Sequence, residues 1–296
     1  MSIICRYAPC TRWDEVTHSV KVISDIASAA ETPTEIRLLN NAEPVVVGSS
    51  TDNTLNRITL SAILCKKPQG LTPICMQLCA IVEQLKRLES ILKYSDKVIL
   101  LIIMTDGEST DGDIIDILKP LEGIPIQIII RVCTAEREIS EYWHNINAQL
   151  DIEIHVLHDI FAEAMEVYEN NPWITYAEPL QKAREFGLMV PEIEKLGKRQ
   201  LSKSEIKSVI DILLATADSE KSGNIYVDLP DIEIDWLEYV EAVYGAFRDV
   251  KDVYCPITKQ LRPWINFDAL MDYEVDPISI VIEENEVQCS IVLLRK

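Results

Sequence analysis

Carboxylates and hydroxyls crowd into one short run, Thr105-Asp106-Gly107-Glu108-Ser109-Thr110-Asp111-Gly112-Asp113. Oxygen donors packed this densely suit a hard cation such as Mg2+, which takes oxygen ligands and keeps several waters. They also suit a positively charged partner surface. Gly107 lets the backbone turn sharply behind Asp106, so that the carboxylate can face a ligand. A second run, Gly70-Leu71-Thr72-Pro73, adds a hydroxyl at what reads as a helix start, with Thr72 as N-cap and Pro73 in the first helical position. Structural roles compete for the same residues. Asp106 suits a cap for the helix beginning near Asp113, Thr72 suits ordinary helix capping, and Glu108, Asp111 and Asp113 suit solvated loop charges.

The elements around these runs decide how they are presented. Residues 98–104 are continuously apolar, Val-Ile-Leu-Leu-Ile-Ile-Met. The run is too short to span a membrane and does not alternate, which predicts a central parallel strand covered on both faces. In open parallel sheets ligands gather beyond the carboxyl ends of the strands, and Asp106 falls there. Upstream, a strand is predicted at 2–7, then a helix capped by Thr11 with Trp13, Val16, Val20, Ile23, Ile26 and Ala27 on one face. Strands at 35–39 and 44–47 are close enough for a hairpin, and Pro44 marks an edge. Helices follow at 55–64 and from Thr72 to about residue 94. Downstream, strands at 124–132 and 152–157 alternate with helices at 113–118, 135–150 and 159–170. This alternation predicts an α/β domain over residues 1–172, a doubly wound, mostly parallel sheet with helices on both faces. Beyond residue 172 the alternation stops. Helices at 179–186, 202–217 and 235–250, a capping box Ser202-Lys203-Ser204-Glu205 and a hairpin at 277–294 predict a C-terminal α+β appendage over 173–296.

Bulk properties narrow the function classes. With 296 residues and 48% hydrophobic content there is material for a sizeable core. A formal net charge of −20 argues against nucleic acid and anionic membrane surfaces, and fits a cation or a basic partner. The eight cysteines contain no CxxC pair and fall largely within apolar patterns, which predicts reduced, buried thiols. Cys75 and Cys79 are spaced to share a metal, but lack a second pair. No basic, long-apolar leader and no long apolar span is present, which predicts a cytoplasmic location. The phosphate-binding glycine motifs, HExxH and G-x-S-x-G are absent. His18, His144, His155 and His158 read as structural, and Trp143, Trp173, Trp236 and Trp264 as packing residues. The stripe Trp236, Val240, Val243, Tyr244 and Phe247 suits a partner-binding helix, but more readily a helix face packed on its own domain.

Taken together, Trp13-Asp14-Glu15-Val16 opening the first helix, the hairpin around Asn40, Gly70-Leu71-Thr72-Pro73 and Thr105-Asp106-Gly107-Glu108 resemble a von Willebrand factor A domain over residues 11–170. That resemblance implies a metal-ion-dependent adhesion site in which Mg2+ is held by an Asp-x-Ser-x-Ser loop, a Thr and an Asp. Thr72 and Asp106 would be ligands, with help from Glu108 or Asp111. The first loop here reads Cys5-Arg6-Tyr7-Ala8-Pro9-Cys10-Thr11-Arg12 and supplies no equivalent, so the site is degenerate and Mg2+ binding would be weak. The resemblance implies a non-enzymatic scaffold or adaptor that binds a protein partner, through a carboxylate or a basic surface. Its contact loops would be 48–53, 70–73 and 106–113, with Gly70, Thr72, Pro73, Asp106, Gly107 and Glu108 in contact. The alternative is a Mg2+-dependent hydrolase using Asp106 and Asp111 in an α/β cleft.

Overall fold

Isoleucine and valine concentrate in three segments that pair as parallel strands: β3 (Ile99–Thr105), β4 (Ile126–Val132) and β5 (Glu153–Leu157), in the order β3-β4-β5. The register runs from Ile99 opposite Ile126 to Thr105 opposite Val132, so the first two strands end level. The computed structural model describes residues 11–40, 43–49, 53–94, 97–134, 136–218, 229–232 and 234–273. The predicted strand at 2–7, the hairpin at 277–294, and parts of the turn at 40–43 and of the loop at 48–53 lie outside these residues. Among the described residues β4 is the central strand, because it is paired on both sides. The run at 98–104 becomes β3, whose partner among the described residues is β4, and its Leu100 is exposed.

The chain divides into two compact units. The first holds the described residues up to 159 together with 185–187. It contains α1 (Arg12–Ala29), an antiparallel hairpin of β1 (Thr34–Ile36) and β2 (Val45–Val47), α2 (Asn53–Leu64), α3 (Ile74–Lys93), α4 (Ile114–Leu118) with a 3-10 turn at Lys119–Leu121, and α5 (Arg137–Asn147), besides the three-stranded sheet. Helices flank that sheet. Successive strand residues point to opposite faces, and Ile103 and Met104 show it. Ile103 joins a core built with Ile74, Leu78, Ile114, Leu118, Ile128, Ile130 and Trp143 from α3, α4, β4 and α5. Met104 packs instead with Val20, Val45, Val47, Leu60 and Leu64 from α1, β2 and α2. Gly48 closes β2 at a φ of 76°, where an added Cβ would lie 2.1 Å from the Thr32 carbonyl oxygen, so only glycine fits.

Arg131, near the end of β4, breaks the apolar pattern. Its side chain is 1% exposed. The guanidinium donates to the Glu185 carboxylate at 2.8 Å, to Glu15 on α1, and to the carbonyl oxygens of Val132 and His158. Glu185 is itself fully buried. A buried charge is tolerated only with partners of this quality.

The second unit holds residues 160–184 and 188–273 of those described. It contains α6 (Ile160–Asn170), α7 (Glu178–Glu185, its last residue in the first unit), α8 (Pro191–Lys195), α9 (Lys203–Asp218), α10 (Trp236–Phe247), a hairpin of β6 (Val253–Cys255) and β7 (Gln260–Arg262), and α11 (Phe267–Met271). The helices expected near 179–186, 202–217 and 235–250 are α7, α9 and α10. The capping box is present: Ser202 N–H donates to Glu205 Oε2 at 2.8 Å, and Glu205 N–H to Ser202 Oγ at 3.3 Å. Val240, Val243 and Phe247 are buried as expected, while Tyr244 is exposed. The core forms around Trp173, Ile206, Val209, Tyr239 and Leu270. Buried Asn171 stitches it. Its Nδ2 donates to the Leu196 and Arg199 carbonyls at 2.7 and 2.8 Å, and its Oδ1 accepts from Leu201 N–H and Tyr273 Oη. Among the described residues no helix is long and apolar enough to cross a membrane.

Removing one partner of a buried ion pair strands the other. Arg131→Met should therefore lower the unfolding free energy by about 3–5 kcal/mol in a urea titration, whereas Arg131→Met with Glu185→Leu should recover a substantial part of that loss.

Candidate functional site

β3 and β4 stay paired to their carboxyl ends, where the Cys133 N–H donates to the Thr105 carbonyl at 2.8 Å. Thr105 then folds the chain back on itself. Its hydroxyl accepts from Gly107 N–H at 3.2 Å and donates to the Gly107 carbonyl at 3.1 Å. The turn puts Asp106 at the rim of the sheet with its side chain 54% exposed. Gly107 is half-buried beneath it, and Glu108 is exposed.

Asp106 meets a residue that the sequence reading did not single out. Arg12 Nη1 donates to Asp106 Oδ2 at 3.3 Å, and Arg12 Nη2 donates to Glu136 Oε1 at 3.0 Å. Arg12 is the first residue of α1, fixed by a capping box in which Asp14 N–H donates to Thr11 Oγ1 at 3.2 Å and Thr11 N–H donates back to Asp14 Oδ2 at 3.0 Å. Glu136 stands at the N-cap of α5, where its N–H donates to Thr134 Oγ1. One guanidinium thus joins three chain segments: the start of α1, the loop after β3 and the loop after β4. The bond to Glu136, only partly opposed by desolvation and reinforced by Asp106, raises the Arg12 pKa further, so the group is a permanent cation. All three side chains are about half exposed, and an ion pair in such a setting adds little to stability.

The remaining sequence-predicted residues separate into a second cluster. Thr72 is not the N-cap of α3. The helix starts at Ile74 behind Pro73, whose ψ of 65° is not helical, and no side chain of the local sequence caps it. The cap comes from Asp111, whose two carboxylate oxygens accept from Cys75 N–H at 3.0 Å and Met76 N–H at 2.8 Å. A carboxylate at a helix N-terminus satisfies free donors and complements the helix dipole, so it outcompetes the threonine hydroxyl. Burial would push the Asp111 carboxyl up. The hydrogen bonds from Met76, Ser109 and Cys75 outweigh it and hold the pKa below the usual range. Thr72 is committed through its backbone: its N–H donates to Thr110 Oγ1 at 3.1 Å and its carbonyl accepts from Thr110 N–H at 3.0 Å. Gly70 has a φ of 102°, and the loop beside it is tied down by Asn40 Nδ2 donating to the Leu71 carbonyl at 2.9 Å. Asp106 does not cap the next helix. Asp113 does, accepting from Ile115 N–H at 2.8 Å. Cys75 is buried against Ser109 Oγ while Cys79 is exposed.

Mg2+ takes about six oxygens at about 2.1 Å; here Asp106 faces the Arg12 guanidinium and Asp111 is engaged at the start of α3. Among the described residues no group of three or more His, Cys, Asp or Glu could hold a metal. No family model matches the chain, and neither a curated protein nor a solved structure matches it.

The two clusters should respond differently to mutation. Asp111→Ala should cost about 1 kcal/mol of stability, as for other lost helix caps, whereas Asp106→Asn should change it by less than about 0.5 kcal/mol. Because the folded-state pKa of Asp111 is lowered, its contribution is present above the unfolded value of about 3.9 and is lost as pH falls through the folded value. The gap between wild type and Asp111→Ala in chemical unfolding should accordingly close below about pH 4.

Proposed function

We propose that the chain is a non-enzymatic protein-binding module of the von Willebrand factor A type, a scaffold or adaptor whose docking surface is the rim around Asp106. The Arg12 bridge between Asp106 and Glu136 is the observation that carries this. It gathers three segments at the carboxyl ends of parallel strands, where α/β folds place their ligands, and it leaves all three charged groups within reach of a partner. In this reading the guanidinium supplies at the rim the positive charge that a metal supplies in metal-dependent members of that family. Two carboxylates surround a single cation, Glu108 and Asp113 lie exposed on the same loop, and the chain carries a net charge of −20. A basic protein surface is the complementary partner, with association speeded by long-range attraction. A hydrolase built on Asp106 and Asp111 has less support, since Asp111 is engaged by the helix it caps.

Affinity capture by the immobilised full chain tests this. Proteins retained by the wild type should be lost, by more than about tenfold, from a chain carrying Asp106→Lys and Glu136→Lys, because like charges then face each other. Retention should weaken with added salt and stay unchanged in EDTA. Equal retention by the charge-reversed chain overturns the proposal. Loss in EDTA restores a metal to the mechanism. Phosphoester turnover abolished by Asp106→Asn would establish the enzyme instead.

A further inference from the structure

His144 and His158 meet head to head near the carboxyl end of β5. His144 sits on α5, and His158 directly follows β5. Their Nε2 atoms are 3.1 Å apart, and their rings lie 5.2 Å apart between centroids with a 36° tilt. Ser140 Oγ lies beside the same ring, 3.1 Å from His158 Nδ1 and 3.5 Å from its Nε2. Ser140 and His144 are one turn apart on α5, so a single helical face presents both side chains to His158. His144 is exposed and His158 half-buried, which leaves the pair open to solvent.

We propose that His144 and His158 form a two-imidazole site for a divalent transition ion of the Zn2+ class. Imidazole nitrogen suits such ions, while Mg2+ prefers oxygen. At Zn–N distances of about 2.0–2.1 Å, two nitrogens 3.1 Å apart subtend about 100° at a shared ion, close to tetrahedral. The terminal torsion of an exposed histidine is soft, so His144 can swing its lone pair onto the ion. Ser140 Oγ, within reach of both nitrogens of His158, helps hold that ring beside His144. Without metal, one of the two Nε2 atoms carries the proton of their hydrogen bond. On coordination that proton moves to Nδ1 of the same ring, so that each neutral ring keeps one proton and both Nε2 lone pairs face the ion. The acidic chain concentrates cations at its surface. Among the described residues no group of three or more His, Cys, Asp or Glu is present, and water can occupy coordination positions that the two imidazoles do not. The site shares α5 with Glu136 of the rim but uses none of the three rim side chains.

Titration of the full chain with Zn2+ alone tests this, after alkylation of accessible thiols such as Cys65 and Cys79. Calorimetry should show one ion bound per chain. His144→Ala or His158→Ala should each weaken binding by more than about tenfold, and His155→Ala, whose ring contacts Glu153 instead, should leave it unchanged. Nitrogen resonances of both wild-type imidazoles should shift together on adding Zn2+, a readout that needs no variant. Equal affinity in all variants, or imidazole resonances unmoved at millimolar Zn2+, would overturn the site and leave the pair a hydrogen bond.

Discussion

The level endings of β3 and β4 are the constraint on which the rest of the first unit depends. Parallel pairing from Ile99–Ile126 to Thr105–Val132 delivers two loops at the same height. The Thr105 hydroxyl turns the first loop within two residues. The second reaches the N-cap of α5 at Glu136. Two carboxylates from distant sequence positions thereby come within the span of a single guanidinium. A shift of one residue in that register would flip every side chain of β3 to the other face, exchanging Ile103 and Met104 between their cores and dissolving the rim.

Two arginines in this unit illustrate how environment decides the meaning of a charge. Arg131 is sealed from water and tied to Glu15, Glu185 and two carbonyls. Its worth is structural, because desolvated charges are costly when left unpaired. Arg12 makes the same kind of contact with Asp106 and Glu136 in water, where ion pairs contribute little to folding. A residue type that costs the fold almost nothing in that position is free to serve recognition. The acidic loop divides in the same way: Asp111 and Asp113 cap α3 and α4, while Asp106 and Glu108 face outward.

Much of the architecture was legible from local pattern. The alternation of apolar runs with amphipathic helices gave the parallel strands and the helices around them, and the Ser202–Glu205 spacing gave a capping box. The strand order was not legible. Residues 98–104 and 124–132 both read as apolar strands, and only the pairing shows β4 between β3 and β5. The cap of α3 was missed because Thr72-Pro73 is a good local signal, whereas Asp111 acts from 36 residues away. Arg12 and Glu136 carried no motif. The available hint was that Arg12 closes the segment standing where the resemblance calls for metal ligands. Short structures such as α8, α11 and the hairpin of β6 and β7 fall below the length at which periodicity speaks.

A crystal grown or soaked with Mn2+ and measured for anomalous scattering offers the most direct test of whether the rim cation is a side chain. A rim bridged by Arg12 predicts the guanidinium still between Asp106 and Glu136 and no anomalous peak within bonding distance of either carboxylate. A Mn2+ peak on Asp106, with Arg12 swung away, would contradict it.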